Sequence, residues 1–222
     1  MVNSLYFDLD ELLYRVCKIY EFSDDGFYNL LKIRDKLTRL FEKGIVKSNH
    51  SIIEFILASY LISKGFRVDV EHEVDVDVVC DVYAEVNGER VIVEVETGYV
   101  PPENCLDPLT YRMIRAVSKI VRYSRYSDKF YLAYPPYHIE PIPSVMLISY
   151  NDKVKRVHDL KRVLGLCSKY YRNVRWTLDD ILKAHIEGII YVNVDNLNVK
   201  VIGVDEYLKI LYEVMERLGL TF

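Results

Sequence analysis

The sequence contains no Cys-x-x-Cys pair, and its four cysteines, Cys17, Cys80, Cys105 and Cys167, stand far apart. That spacing argues against a zinc site, an iron–sulfur cluster and a disulfide framework, so the thiols are expected to be reduced and structural. No apolar run approaches the roughly 18 residues that a membrane-spanning helix needs, so no membrane partner is expected. The N-terminus, MVNSLYFDLDELLYRVCK, carries acids where a secretory leader carries basic residues, which points to the cytoplasm. A glycine-rich phosphate loop is missing too, which argues against a nucleotide cofactor. There is no repeat, low-complexity stretch or flexible linker. Glycine is scarce, nine residues against nineteen tyrosines, which suggests a rigid, densely packed chain.

What is present excludes disorder: of 222 residues, 50% are apolar and 28% charged. The net charge of −4 would not by itself suggest a nucleic-acid partner, but the charges are segregated. Between Asp69 and Glu96 there are ten acids and one Lys or Arg, Arg90. Arg112 to Lys129 holds six Lys or Arg and one acid, and Lys153 to Arg175 holds eight and one. An acidic pocket beside basic surfaces accounts for this distribution, and so do ordinary solvated faces.

Apolar residues at helical spacing predict helices over residues 5–21, over about 27–43 up to Gly44, and over 49–64 up to Gly65. Three extended segments follow, Phe66 to Val74, Val79 to Val86 and Val91 to Val95, with Asn87-Gly88 as a hairpin signal. A helix from about Pro108 to Tyr126 precedes strands at Phe130 to Tyr134 and Val145 to Tyr150. Further helices are expected at Val157 to Leu166, at Leu178 to His185 with Thr177 as N-cap, and at Val204 to Leu218. Strands are expected at Ile189 to Val194 and Val199 to Ile202. This order calls for an α/β fold, a mixed sheet with helices on its faces.

The chemistry-bearing stretch is CDVYAEVNGERVIVEVETG. With the turn at Asn87-Gly88, Asp81 and Glu94 can lie opposite each other near the open end of the hairpin. Glu94 and Glu96, two apart on a strand, point the same way. Carboxylates brought together repel one another, and burial raises the cost, so the patch needs a cation. Oxygen donors suit Mg²⁺ or Mn²⁺, and the Val95 carbonyl between the two glutamates is a further donor.

A helix with Glu54, a strand, Asp81 at a hairpin, then Glu94-x-Glu96 and a helix resembles the PD-(D/E)XK nuclease superfamily. It is particularly similar to the archaeal and archaeal-virus branch that includes Holliday-junction-resolvase-like enzymes. The resemblance covers about Asn49 to Tyr150. It implies a restriction-endonuclease-like αβββαβ core with a four-stranded mixed sheet at 48–150. An N-terminal helical addition at 1–47 and a C-terminal α/β extension packed on the core at 151–222 would complete the chain. The implied activity is Mg²⁺-dependent phosphodiester hydrolysis, with Mn²⁺ as a substitute. Asp81 matches the motif's Asp, Glu94 its Asp/Glu, and Glu54 the acid often found on the first core helix; Glu96 stands where lysine is usual. The expected metal ligands are therefore Asp81, Glu94, Glu96 and Glu54, with Glu96 binding a second ion or holding water as a base. A viral origin would make the compartment the host cytoplasm.

Arg112, Arg115, Lys119 and Arg122 follow at spacings of three, four and three, one stripe of the helix after Glu96. Lys119 or Arg115 is expected to replace the missing lysine and clamp the scissile phosphate, which makes Lys119 a catalytic candidate beside Asp81, Glu94 and Glu96. His50, Arg112, Arg115 and Arg122 are candidate nucleic-acid contacts. Lys153, Lys155, Arg156, Lys161 and Arg162 form a second cluster that could grip a DNA backbone. Glu71, His72, Glu73, Asp75 and Asp77 read as the wet side of an edge strand, with Glu71 or Glu73 reaching the metal as the alternative. The reading is a metal-dependent DNA endonuclease or nickase acting on duplex or branched DNA, a homodimer if both strands are cut together. A catalytically inactive DNA-binding module and an RNA endonuclease are the alternatives.

Overall fold

Three helices lead the chain in the computed structural model, which describes residues 4–171 and 176–219. They are α1 (Ser4–Val16), α2 (Asp24–Glu42) and α3 (Ser48–Ser63). Ser23 caps α2 by accepting a hydrogen bond from the Gly26 N–H at 3.1 Å. α3 is apolar almost all round, and a helix of that kind must be covered on every side. The sheet covers one side, and α1 and α2 the other; Leu9, Leu30, Leu37, Phe55 and Leu57 share one core with Val82 and Val93.

The strands are β1 (Arg67–Asp75), β2 (Val78–Val86), β3 (Glu89–Val95), β4 (Lys129–Tyr134), β5 (Gly188–Asn193) and β6 (Asn198–Gly203). They form a mixed sheet in sequence order. β1–β2–β3 and β5–β6 pair antiparallel, whereas β3–β4 and β4–β5 pair parallel. The fold is therefore α/β. β1 is an edge strand, as its charged pattern suggests. Asn87 (φ +51°) and Gly88 (φ +81°) build a two-residue hairpin turn with both central φ positive, the type I′ geometry that Asn-Gly favours.

The second face is covered by α4 (Pro108–Tyr123), α5 (Tyr150–Lys155), α6 (Val157–Tyr170), α7 (Leu178–Lys183) and α8 (Val204–Arg217). Thr177 and Asp180 form a reciprocal capping box at the start of α7.

Two expectations need correction. Val145 to Tyr150 is not a strand: Ser144–Met146 is a single 3₁₀ turn and Tyr150 opens α5, capped by Ser149. Pro143 precedes that turn, and the apolar residues Val145, Met146 and Leu147 serve as core beneath it. Four strands, β1–β4, come from the 48–150 segment, and β5 and β6 continue them into one six-stranded sheet because β5 pairs directly with β4. Of the second basic cluster, Lys153 is buried, 1% exposed, and donates to the Ala184 carbonyl, so it is no surface grip. Lys155 and Arg156 are paired with Asp152 and Asp159. Arg172 and Arg175 lie outside the described residues.

A candidate cation site between α3 and α4

The hairpin ladder runs through Val82↔Val93, and one step further Asp81 and Glu94 come together. Their side chains replace the next rung of the ladder: the Asp81 N–H donates to Glu94 Oε1 at 3.0 Å, and the Val95 N–H donates to Asp81 Oδ2 at 2.6 Å. The two acids that the spacing put opposite each other are thus locked side by side through the backbone.

Glu96 joins them through α4. Lys119 Nζ lies 3.0 Å from Glu94 Oε2, 3.0 Å from Glu96 Oε1 and 3.3 Å from Asp81 Oδ2, and it donates to the Val95 carbonyl at 2.9 Å. The side chain of Lys119 is only 14% exposed. Asp81, Glu94, Glu96 and the Val95 carbonyl, all expected around a metal, therefore surround an ammonium. Arg115 Nε contacts both oxygens of Glu96 at 2.8 Å.

From the other side α3 contributes Glu54, fully buried, with neither carboxyl oxygen hydrogen-bonded. His50, one turn earlier, puts Nδ1 3.8 Å from Glu54 Oε1. Ligand atoms of His50, Glu54 and Asp81 all lie within 4.8 Å of one another. A buried polar group without a partner costs about 1–3 kcal/mol, so two orphaned oxygens beside other donors call for a further group. The donor set and the orphaned oxygens fit a divalent cation. His50 is thus brought to Glu54 and Asp81 as a nitrogen donor, where the sequence suggested a nucleic-acid contact.

Glu71, read first as an edge-strand acid and second as one that could reach the metal, is electrostatically coupled to the cluster. In β1 it falls between the pairs Val70↔Val82 and His72↔Cys80, facing Asp81 across the ladder. Its φ of +46° is strained for a side chain with a Cβ. Its place opposite Asp81 depends on the register shift between Glu73 and Asp75, which the spacing of the β1–β2 turn did not reveal.

The electrostatics follow from this crowding. Burial, then Asp81, Glu71 and Glu94, push the Glu54 carboxyl well above its ordinary 4.5. Burial and then Asp81 raise Glu71 to about 7. Burial and the Asp81 charge raise Glu94 to about 8, against the pull of Lys119. Glu96 goes the other way: burial would raise it, but Lys119 and Arg115 outweigh that and hold it low. Burial would likewise depress Lys119, yet Asp81, Glu94 and Glu96 keep it charged far above its usual range. Burial lowers His50, leaving the imidazole neutral and able to ligate.

The remaining stripe residues diverge. Arg112 turns inward: Nη2 contacts His138 Nε2 and donates to Glu140 Oε2 at 2.9 Å. Arg122 Nη2 donates to the Asp77 carbonyl at 3.1 Å. A concavity of about 890 Å³ between α2 and β1 is lined by Lys36, Asp69 and His72 among others and holds none of these carboxylates. The ion pair of Lys36 with Asp69 at 2.9 Å already satisfies its central acid, so the orphaned atoms mark the carboxylate cluster as the better candidate.

No protein-family model, curated protein or solved structure matches the chain. Among the described residues, no helix is long and apolar enough to cross a membrane.

Proposed function

We propose that this chain is a divalent-metal-dependent DNA endonuclease or nickase. The reading is carried by one observation: Asp81, Glu94 and Glu96 converge around a buried lysine, and Glu54 stands beside Asp81 from α3 with neither oxygen hydrogen-bonded. The order α3–β1–β2–β3–α4–β4 supports it, because it carries the Asp81 and Glu94-x-Glu96 pattern on the same elements as the PD-(D/E)XK nucleases that the sequence resembles.

A bound divalent ion would supply a water of lowered pKa and stabilise charge on the phosphate. Asp81, held by the Val95 N–H, and Glu54 would hold the ion, with His50 as a nitrogen donor. Lys119 sets a fixed positive charge beside Asp81, where charge growing on a phosphodiester oxygen would be stabilised. Arg115 restrains Glu96 and so keeps Lys119 in register.

The filling of the expected metal position by Lys119 favours a second reading, a DNA-binding module that no longer cleaves. The test is an assay on linear, nicked, flapped, single-stranded and four-way DNA and on a matched RNA duplex, with Mg²⁺ and with Mn²⁺. Metal-dependent cleavage of DNA is expected. Binding without cleavage under every condition supports the module, and cleavage of RNA alone moves the substrate class.

A further inference from the structure

Asp81 serves two cation positions at once. In the first, Lys119 Nζ touches Asp81, Glu94 and Glu96 and donates to the Val95 carbonyl, with all four oxygens 2.9–3.3 Å away. An ammonium with four oxygen neighbours is already satisfied, since it has only three protons to donate. The second position lies among His50, Glu54 and Asp81, where Glu54 is fully buried and both its oxygens lack partners.

The geometry points to a chain that binds a single divalent cation, at His50, Glu54 and Asp81, while Lys119 permanently holds the neighbouring position that a second ion would take. Two ligands of one ion about 2.1 Å from each cannot stand more than about 4.2 Å apart. Donor atoms now within 4.8 Å of one another need under an ångström of closure. One imidazole nitrogen with two carboxylates suits a Mn²⁺-type transition ion better than Mg²⁺, which prefers oxygen and water.

This inference rests on the cluster being a cation site, as the proposed function assumes, but not on the substrate. The test is a Mn²⁺ titration of the full chain, read by the electron paramagnetic resonance of free Mn²⁺ and by calorimetry. One ion per chain is expected. His50→Ala and Glu54→Gln should each weaken binding tenfold or more, and Lys119→Met should admit a second ion. Should Lys119→Met not fold, Glu94→Gln serves instead: the amide oxygen can still accept from the Asp81 N–H while the charge beside Lys119 is removed, so it should cost less affinity than Glu54→Gln. Two ions in the unaltered chain overturn the inference. So does one ion indifferent to His50→Ala and Glu54→Gln, or one lost more readily with Glu94→Gln. A chain that binds one Mn²⁺ in this way yet cleaves no nucleic acid upholds the inference and removes the nuclease reading. Cleavage with two ions bound does the reverse.

Discussion

Replacing Glu54 by leucine should raise stability without metal and lower it with metal. Glu54 is 0% exposed, its oxygens accept no hydrogen bond, and Asp81, Glu71 and Glu94 crowd it with like charge. An unsatisfied buried group of this kind costs about 1–3 kcal/mol, and leucine fills similar volume without a polar atom. For a domain of this size each kcal/mol moves Tm by about 2–4 °C, so a gain of about 2 kcal/mol should appear as about 4–8 °C in EDTA. Mn²⁺ at about 100 times its Kd should stabilise the unaltered chain by about 2.7 kcal/mol, and Glu54→Leu should gain little of that. The two melting curves should therefore exchange order between EDTA and Mn²⁺, as followed by circular dichroism. A Glu54→Leu variant that melts below the unaltered chain in EDTA refutes the reasoning, because Glu54 would then be satisfied by the protein alone.

Asp81→Asn or Glu94→Gln should abolish metal-dependent cleavage while leaving DNA affinity in a filter-binding assay largely intact; cleavage at the unaltered rate would remove both from the site. Lys153, which burial holds down to about 8 from an ordinary 10.5, costs stability while protonated. Lys153→Met should thus stabilise the fold by about 2–3 kcal/mol at pH 7. The cost is complete below pH 8 and fades towards 10.5, where the unfolded chain also loses its proton, so the Tm gap between variant and unaltered chain should narrow over that window. A gap that widens there would contradict this. Gly98→Ala should destabilise the fold much more than Gly88→Ala, as read by denaturant titration. Both glycines have positive φ, but a Cβ at 98 would collide with the His138 ring, whereas nothing lies near one at 88. Equal losses would mean that the loop after β3 yields freely.

Much of the site was legible because a hairpin is local. Asn87-Gly88 sets the register, and the register sets Asp81 beside Glu94; the alternation of β3 then aligns Glu96. Lys119 was legible as a helix-face residue that could reach the acids, and it does. Its fate was not legible, because nothing in a spacing of three and four residues says whether the ammonium contacts solvent, phosphate or carboxylate. Arg112 illustrates the same gap, since its partner Glu140 comes from a loop 28 residues away. The strand expected at Val145 failed because apolar residues serve a turn packed on a core as readily as a strand.

The sequence by itself determined most of the order of helices and strands, the hairpin and the meeting of two acids, because each depends on periodicity or on a turn a few residues long. Only the tertiary structure decided that Glu54 is sealed without a hydrogen-bond partner, that Glu71 takes a positive φ and that Lys119 sits among Asp81, Glu94 and Glu96. Those outcomes depend on which surfaces of α3, α4 and the sheet end up facing one another, and that is a property of packing across the whole chain rather than of any segment.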